Sequence, residues 1–145
     1  MADLRTQVLV VGGGHAGYEA ALASARMGVK TTLVTLDSSQ IGRLPCNPAV
    51  GGIAKSHLVS EVDALGGEIA KNADFTGIQY RMLNTRKGPA VQSNRIQCDK
   101  NAYPLRIQKI LMQQENLTII DDMVLSIDTS KNKIKSITTR SYGTI

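Results

Sequence analysis

The segment VLVVGGGHAG, residues 8–17, decides the fold of this chain. Its first four residues are apolar and mostly β-branched, which predicts a buried strand. The glycines follow at once, and an alanine-rich stretch then predicts a helix over residues 16–27. A strand, a glycine turn and a helix in this order can hold the diphosphate of a dinucleotide, because the amides at a helix N-terminus bind anions.

Three glycines of this turn have separate expected tasks. Gly12 permits the tight turn out of the strand, and Gly14 lets the main chain approach the phosphates. Gly17 lets the helix pack closely on the sheet. Glycines at these spacings also occur in ordinary loops, so a purely structural turn is the alternative. The strand before the turn and the helix after it favour dinucleotide binding.

The rest of the chain predicts an α/β fold with a parallel sheet. Residues 30–35 read as a second strand that completes a β-α-β unit, and residues 117–120 read as a third buried strand. Residues 37–53 contain several glycines and prolines and predict a long irregular loop. Further predicted elements are helices at 54–65, with Ala54, Leu58, Val62 and Leu65 at helical spacing, and at 102–114, a short strand at 78–83, and a hairpin of strands at 124–127 and 134–138 around a turn at 130–133.

Composition limits the classes of function. The net charge is +5, and seven basic residues fall between positions 81 and 109 beside a single acid, Asp99. Such a cluster suits phosphates of a nucleic acid or a cofactor, and a solvated face explains it equally well. No apolar run reaches the ~18 residues of a membrane span, and no secretory signal is evident, so we expect a cytoplasmic protein without membrane contact.

The two cysteines point away from a metal site. Cys46 and Cys98 are far apart and form no C-x-x-C motif, which argues against a zinc ribbon or a thioredoxin-type pair. A disulfide is not expected in a reducing compartment. We therefore expect no bound metal.

The residues after the second predicted strand bear on which dinucleotide binds. NAD-binding proteins usually carry an acid at the end of that strand, but here the strand ends at Thr35 and the nearest acid, Asp37, comes two residues later. Thr35 or a main-chain carbonyl is then expected to hold the ribose. No basic residue follows the strand directly, which weakens an NADP reading. The glycine-rich loop at 37–52 favours FAD, whose flavin extends past the edge of the sheet.

Several longer motifs carry a family resemblance. They are GGGHAG at residues 12–17, CNPAVGGIAK at 46–55, HLV at 57–59, EVDALGG at 61–67, GIQYRMLN at 77–84 and KGPAV at 87–91. With these motifs the chain closely resembles the tRNA uridine 5-carboxymethylaminomethyl modification enzymes, also called the glucose-inhibited division protein A family. The resemblance implies a Rossmann-like FAD-binding fold with a parallel sheet and a β-hairpin. Residues 1–145 would be the N-terminal part of the FAD-binding domain of a larger enzyme.

The resemblance also implies a function. Members of the family are FAD-dependent homodimers that work with a GTPase partner on tRNA. They add a carboxymethylaminomethyl or aminomethyl group at C5 of the wobble uridine, drawing on methylenetetrahydrofolate, glycine or ammonium, and NADH. Most of that machinery would lie beyond Ile145, so this chain alone is expected to be inactive.

Two other classes of function stay open. One is an FAD- or NAD-dependent oxidoreductase of another class, for instance a disulfide reductase. That enzyme expects a C-x-x-x-x-C pair, and Cys46 has no partner at that spacing. The other is a non-catalytic module that senses a dinucleotide or binds nucleic acid.

The resemblance assigns site residues by position. Cys46 falls on the family's cysteine, a candidate catalytic thiol beside the flavin that Arg43 or Lys55 would activate, while a packing role is the alternative. Val124 would contact the adenine through its main chain. His57 reads as a surface or capping residue and Cys98 as a small buried residue. The residues expected to hold the FAD diphosphate are Gly12, Gly13, Gly14, His15, Ala16 and Gly17.

Overall fold

The computed structural model describes residues 4–145, which divide into two compact units. Unit 1 contains the residues up to Ile41 together with Leu111–Ile145, and unit 2 is Gly42–Ile110. The strands are β1 (Val8–Val11), β2 (Thr31–Thr35), β3 (Ala49–Gly51), β4 (Gly77–Leu83), β5 (Ser93–Cys98), β6 (Leu117–Asp121), β7 (Val124–Ser130), β8 (Lys133–Thr139) and β9 (Gly143–Thr144). The helices are α1 (His15–Arg26), α2 (Lys55–Ala64), α3 (Ile69–Thr76) and α4 (Ala102–Gln113), and short 3-10 turns cover Ser38–Gln40 and Pro89–Val91.

Unit 1 is built on a parallel sheet in the order β1-β2-β6. The central strand β2 is buried from Thr31 to Val34, because strands pack on both of its sides. Helix α1 buries Tyr18, Ala21, Leu22 and Ala25. These positions are three or four residues apart and form one face of a helix.

A β-hairpin completes unit 1. Strands β7 and β8 pair antiparallel, and Lys131 and Asn132 turn the chain between them with φ of 50° and 59°. Positive φ at both central residues matches the right-handed twist of the strands. Strand β9 pairs with β8. Ile137 of the hairpin packs with Val34 and Ile120, and Val124 lies against this cluster.

Unit 2 contains an antiparallel sheet in the order β3-β5-β4. Its buried core consists of Leu44, Val50, Ala73, Cys98 and Tyr103, and Val59, Ile69 and Ile96 pack against these residues. The core therefore lies between one face of the sheet and side chains from the helices.

The structure confirms the α/β fold with its parallel sheet and hairpin, and it corrects several local predictions. The loop expected at 37–53 contains a 3-10 turn and strand β3. Helix α3 and strand β5 were not predicted. Helix α2 forms as expected but buries no residue fully, and Leu58 and Leu65 on its expected inner face are 63% and 90% exposed. Helical spacing alone does not show whether a face is covered.

Within residues 4–145, no helix is long and apolar enough to cross a membrane. No group of three or more histidine, cysteine or acidic side chains is arranged to hold a metal ion in the same part of the chain.

Candidate dinucleotide-binding site

The turn between β1 and α1 depends on glycine at its first position. Gly12 has a φ of +101°, a conformation that side chains with a Cβ rarely adopt, and its N–H donates to the carbonyl of Val34 at 2.8 Å. Helix α1 then begins at His15 with Gly14 as its N-cap, and the N–H of Tyr18 donates to the Gly14 carbonyl at 2.9 Å. The predicted order of strand, turn and helix is therefore present.

The glycines of the turn fall into two kinds. A Cβ on Gly17 would overlap the carbonyl oxygen of Gly12, and a Cβ on Gly13 would lie 2.6 Å from Cγ1 of Ile41. Packing therefore requires these two glycines. A Cβ on Gly14 would meet nothing within 4 Å, and its φ of −70° suits any residue. The space over Gly14 is therefore open, and a ligand can reach its main chain.

The N-terminus of α1 has the electrostatics of an anion site. No side chain caps it, and no acidic residue lies in its first turn. The first N–H groups of a helix have no intrahelical acceptor, and the helix dipole places partial positive charge there. The amides of residues such as Ala16 and Gly17 are thus directed toward any anion over the turn.

His15 contributes an uncharged ring to this turn. Its side chain is half-buried, and the ring centroid lies 5.3 Å from that of Tyr18. Burial lowers the pKa of His15 below its ordinary value of 6.5, so the imidazole is neutral at pH 7. His15 can therefore act on an anion as a hydrogen-bond donor and not as a cation.

Several polar groups at the end of β2 already have hydrogen-bond partners. The Thr35 carbonyl accepts from the N–H of Asp122 at 2.8 Å. Oδ1 of Asp37 accepts from the hydroxyl and the N–H of Ser39, at 2.6 and 2.9 Å, and these bonds lower the pKa of Asp37. The Gln40 side chain also bonds to Asp37, whereas the Thr35 hydroxyl carries no hydrogen bond within residues 4–145.

Asp121, the last residue of β6, and Asp122, directly after it, fix the backbone at this edge of the sheet. The sequence analysis did not single them out. The Asp121 carboxylate accepts from the N–H and hydroxyl of Ser38 at 2.8 and 2.9 Å. Asp122 is buried and accepts from the N–H groups of Met123, Ser141 and Tyr142. Its position directly after a parallel strand was the available signal, because the carboxyl ends of such strands border the ligand crevice.

Those backbone bonds also set the ionisation of Asp122. Burial works against its charged form, but the N–H donors from Tyr142, Ser141 and Met123 outweigh burial and hold the pKa far below the usual range. The carboxylate is therefore ionised at neutral pH, and backbone N–H groups stabilise its charge. Val124, two residues later, is half-buried at the start of β7 in the same unit as the glycine turn.

The two cysteines lie in unit 2 in opposite environments. Cys46 is exposed in the segment between the 3-10 turn Ser38–Gln40 and β3. Cys98 is fully buried, as expected, with its thiol 3.8 Å from the Ile96 carbonyl, and burial raises its pKa. His57 is exposed, and its Nε2 lies 3.1 Å from the Ala90 carbonyl, which is the surface position that the sequence predicted.

The basic stretch at 81–109 is not uniform. Arg106 pairs with the carboxylate of Glu68 at 3.0 Å, donates to Asn72 and lies 4.2 Å over the ring of Phe75. Its guanidinium is thus already occupied within unit 2. Arg81 and Arg95 have no ion pair or hydrogen bond of their side chains within residues 4–145.

Comparison with known proteins identifies the family. The family model for glucose inhibited division protein A matches residues 7–145. The tRNA uridine 5-carboxymethylaminomethyl modification enzyme MnmG of Sulfurihydrogenibium sp. is 56% identical over 131 residues, which are 90% of this chain and 21% of that protein. Its counterpart in Aquifex aeolicus is 54% identical over 132 residues, 91% of this chain and 21% of that protein.

Solved structures agree with this result. GidA of Aquifex aeolicus, in its form II crystal, superimposes with a TM-score of 0.90 at 52% identity over 93% of this chain and 22% of that one. A GidA-related protein from Thermus thermophilus, at 16% identity and a TM-score of 0.56, covers 98% of this chain and 49% of its own, and shares the fold. The chain spans about a fifth of the length of the curated relatives it matches. It belongs to the glucose-inhibited division protein A family.

Proposed function

We propose that this chain binds FAD for a flavin-dependent tRNA-modifying enzyme. The reaction adds a carboxymethylaminomethyl or aminomethyl group at C5 of the wobble uridine, together with a GTPase partner. Membership of a family whose relatives are named for this modification supports the proposal. The observation that carries dinucleotide binding is the open main chain at Gly14, at the uncapped N-terminus of α1, and the choice of FAD follows from the family.

The residues of the turn fit a diphosphate. The amides of Gly13, Gly14, His15, Ala16 and Gly17 would bind its oxygens, and Gly12 sets the turn that aims them. No carboxylate in the first turn of α1 opposes the ligand's charge. Asp121 and Asp122, close to Val124 in the sequence, accept hydrogen bonds from backbone N–H groups. These bonds reduce the repulsion between the two carboxylates and an anion.

The remaining parts of the dinucleotide have candidate partners in the same unit. The Thr35 hydroxyl would hold the adenosine ribose, and the main chain of Val124 would contact the adenine. These groups position the cofactor, while the flavin itself supplies hydride and electron transfer when bound. The part played by this chain is to bind and orient.

Cys46 is the proposed catalytic thiol. It is exposed, and therefore accessible to a substrate or to a flavin. Exposed Arg43 and Lys55 lie in the same unit. The alternative is a packing role against the flavin ring. A disulfide reductase is disfavoured, because the second cysteine, Cys98, is buried in the core.

This chain spans about a fifth of the length of its relatives, so the activity named for them is a proposal for the whole protein. We propose that the complete protein is a cytoplasmic homodimer that acts on tRNA with its GTPase partner. NADH and methylenetetrahydrofolate would serve there as further cofactors. The chain by itself would bind FAD and not complete the modification.

The test is FAD binding by the purified chain, measured by flavin absorbance and by the change in flavin fluorescence on titration. The parent is expected to bind FAD. Gly14→Val places a side chain in the open space over the turn and should weaken binding at least about tenfold, with the helix content unchanged by circular dichroism. Gly88→Val is the matched control, because Gly88 also has an ordinary φ and open space but lies in unit 2.

Two outcomes would contradict the proposal. Equal FAD affinity of Gly14→Val and the parent would show that the diphosphate does not lie on this turn. A colourless parent that still binds tRNA would favour the non-catalytic module.

The proposed role of Cys46 is tested by tRNA modification with the complete enzyme. Cys46→Ser should abolish the modification while FAD is retained, and unchanged activity would leave packing as the role of Cys46.

A further inference from the structure

The outer face of the sheet in unit 2 brings two arginines together. In the antiparallel ladder of β4 and β5, Arg81 lies directly opposite Arg95, and Gln79 lies directly opposite Gln97. Directly opposite residues project from the same face of a sheet. The intervening residue Ile96 packs on the core, so the arginines and glutamines project from the other face.

The third strand adds no long side chain to these rows. Gly51 of β3 is opposite Arg95, and Ala49 is opposite Gln97. Each row therefore contains a small residue on β3 and two long hydrogen-bond donors on β5 and β4.

No carboxylate pairs with either of these arginines within residues 4–145. Like charges directly opposite each other on paired strands destabilise a sheet. Strands β3, β4 and β5 contain no acidic residue. Asp74 of α3 lines one cavity together with Arg81 and Arg95 but forms no ion pair with them, and the Asp99 carboxylate accepts from the N–H groups of Asn101 and Ala102.

Arg81 and Arg95 also differ from Arg106 of the same unit. Arg106 has a carboxylate and an aromatic ring as partners. Arg81 is exposed and Arg95 half-buried, and the side chains of both lack a hydrogen bond or ion pair within residues 4–145. A pair of opposed, unneutralised guanidinium groups with amide donors in the next row suits the oxygens of a phosphate group.

We propose that Arg81 and Arg95, supported by Gln79 and Gln97, form a phosphate-binding site on the outer face of this sheet. The phosphate would belong to the backbone of the tRNA, so the proposal rests on the proposed function. The FAD diphosphate has its own proposed site on the glycine turn of unit 1, and FAD binding therefore serves as the internal control.

The test compares two double variants of the chain that lose the same charge. Arg81→Gln with Arg95→Gln removes the proposed site. Lys133→Gln with Lys135→Gln is the control, because both lysines are exposed and stand two residues apart on β8 of unit 1. Binding of bulk tRNA is titrated at several salt concentrations, and binding of FAD is titrated in parallel.

The arginine variant should bind tRNA on the order of tenfold more weakly than the control. The slope of log affinity against log salt should also fall by about 1 to 2, for two lost contacts. FAD affinity should be the same in both double variants, because the proposed diphosphate site lies in unit 1. Arg81→Lys with Arg95→Lys should keep most of the salt slope and lose part of the affinity, because lysine lacks the planar fork.

Equal tRNA affinity of the arginine variant and the control would overturn the site. Thermal unfolding guards against misfolding, and the arginine variant should be at least as stable as the parent, since it removes a like-charge pair. The proposed function is judged separately. If both double variants bind FAD and have the same tRNA affinity, only the phosphate site is contradicted. If the parent binds no FAD, the proposed function is contradicted, and the tRNA titration still tests the two arginines.

Discussion

Units 1 and 2 each place a three-stranded sheet against helices, but they build their candidate sites from different parts of the chain. Unit 1 uses the main chain: the φ of Gly12, the open space at Gly14 and the amides of α1. Unit 2 uses side chains, the opposed guanidinium groups of Arg81 and Arg95. A main-chain site tolerates changes of side chain and fails when a Cβ is added, whereas a side-chain site fails when a charge is lost.

The largest expected effect concerns a packing glycine of unit 1. Gly17→Val would force a side chain onto the Gly12 carbonyl, so the free energy of unfolding should fall by at least about 3 kcal/mol. Urea unfolding followed by circular dichroism measures this loss. Gly14→Val is the paired control, because it adds the same side chain where there is space and should leave stability within about 0.5 kcal/mol. Equal losses would remove the distinction between the two kinds of glycine.

The next effect tests whether unit 2 depends on charged side chains. Arg106→Ala removes the ion-pair partner of Glu68, whose side chain is 5% exposed. Because Arg106 is itself 24% exposed and partly screened, the expected loss is about 2 kcal/mol, below that of a fully buried pair. Lys109→Ala on the same helix should change stability by less than about 0.5 kcal/mol. A similar midpoint of urea unfolding for both variants would contradict the importance of the pair.

A third prediction concerns pH and unit 1. The pKa of Asp122 is lower in the folded state than in the unfolded state, so its stabilising contribution is present above the ordinary aspartate pKa of about 3.9 and is lost as the pH falls below it. At pH 7, Asp122→Asn should lower the thermal midpoint by several degrees. The gap between variant and parent should narrow below about pH 4. Exposed Asp63→Asn in α2 is the control, and a gap for Asp122→Asn that is constant with pH would contradict the account.

The smallest effect leaves the fold unchanged and compares the two thiols of unit 2. Cys46 is exposed, whereas Cys98 is buried and has a raised pKa. Iodoacetamide should therefore label Cys98→Ser, which keeps Cys46, at least about tenfold faster than Cys46→Ser, which keeps Cys98. Intact mass measured over time gives both rates. Equal rates under native conditions would mean that the core of unit 2 opens readily.

The sequence predicted unit 1 more completely than unit 2. Strand β2, the third parallel strand β6 and the β7–β8 hairpin follow from apolar runs, alternation and turn residues, each of which has a local cause. The glycine turn followed from spacing together with its flanking elements. Asp122 escaped prediction because its partners, Ser141 and Tyr142, lie about twenty residues further along the chain.

Unit 2 was harder to predict because its strands are short or polar. Strand β5 (Ser93–Cys98) reads as a basic segment, although Ile96 and Cys98 alternate with polar residues as a one-sided strand requires. Strand β3 has three residues, too few for a periodic pattern. The opposition of Arg81 and Arg95 depends on the register of two strands, which no spacing in the sequence specifies.

Strand β4 has a consequence for the behaviour of the chain at high concentration. It forms an outer edge of its sheet, and Ile78, Tyr80 and Met82 are all at least half exposed along it. An edge strand with unpaired peptide groups and apolar side chains is a template for adding a strand from another molecule. Self-association of the isolated chain should therefore start here, and the positive charge of Arg81 within the same strand acts as a gatekeeper that slows it.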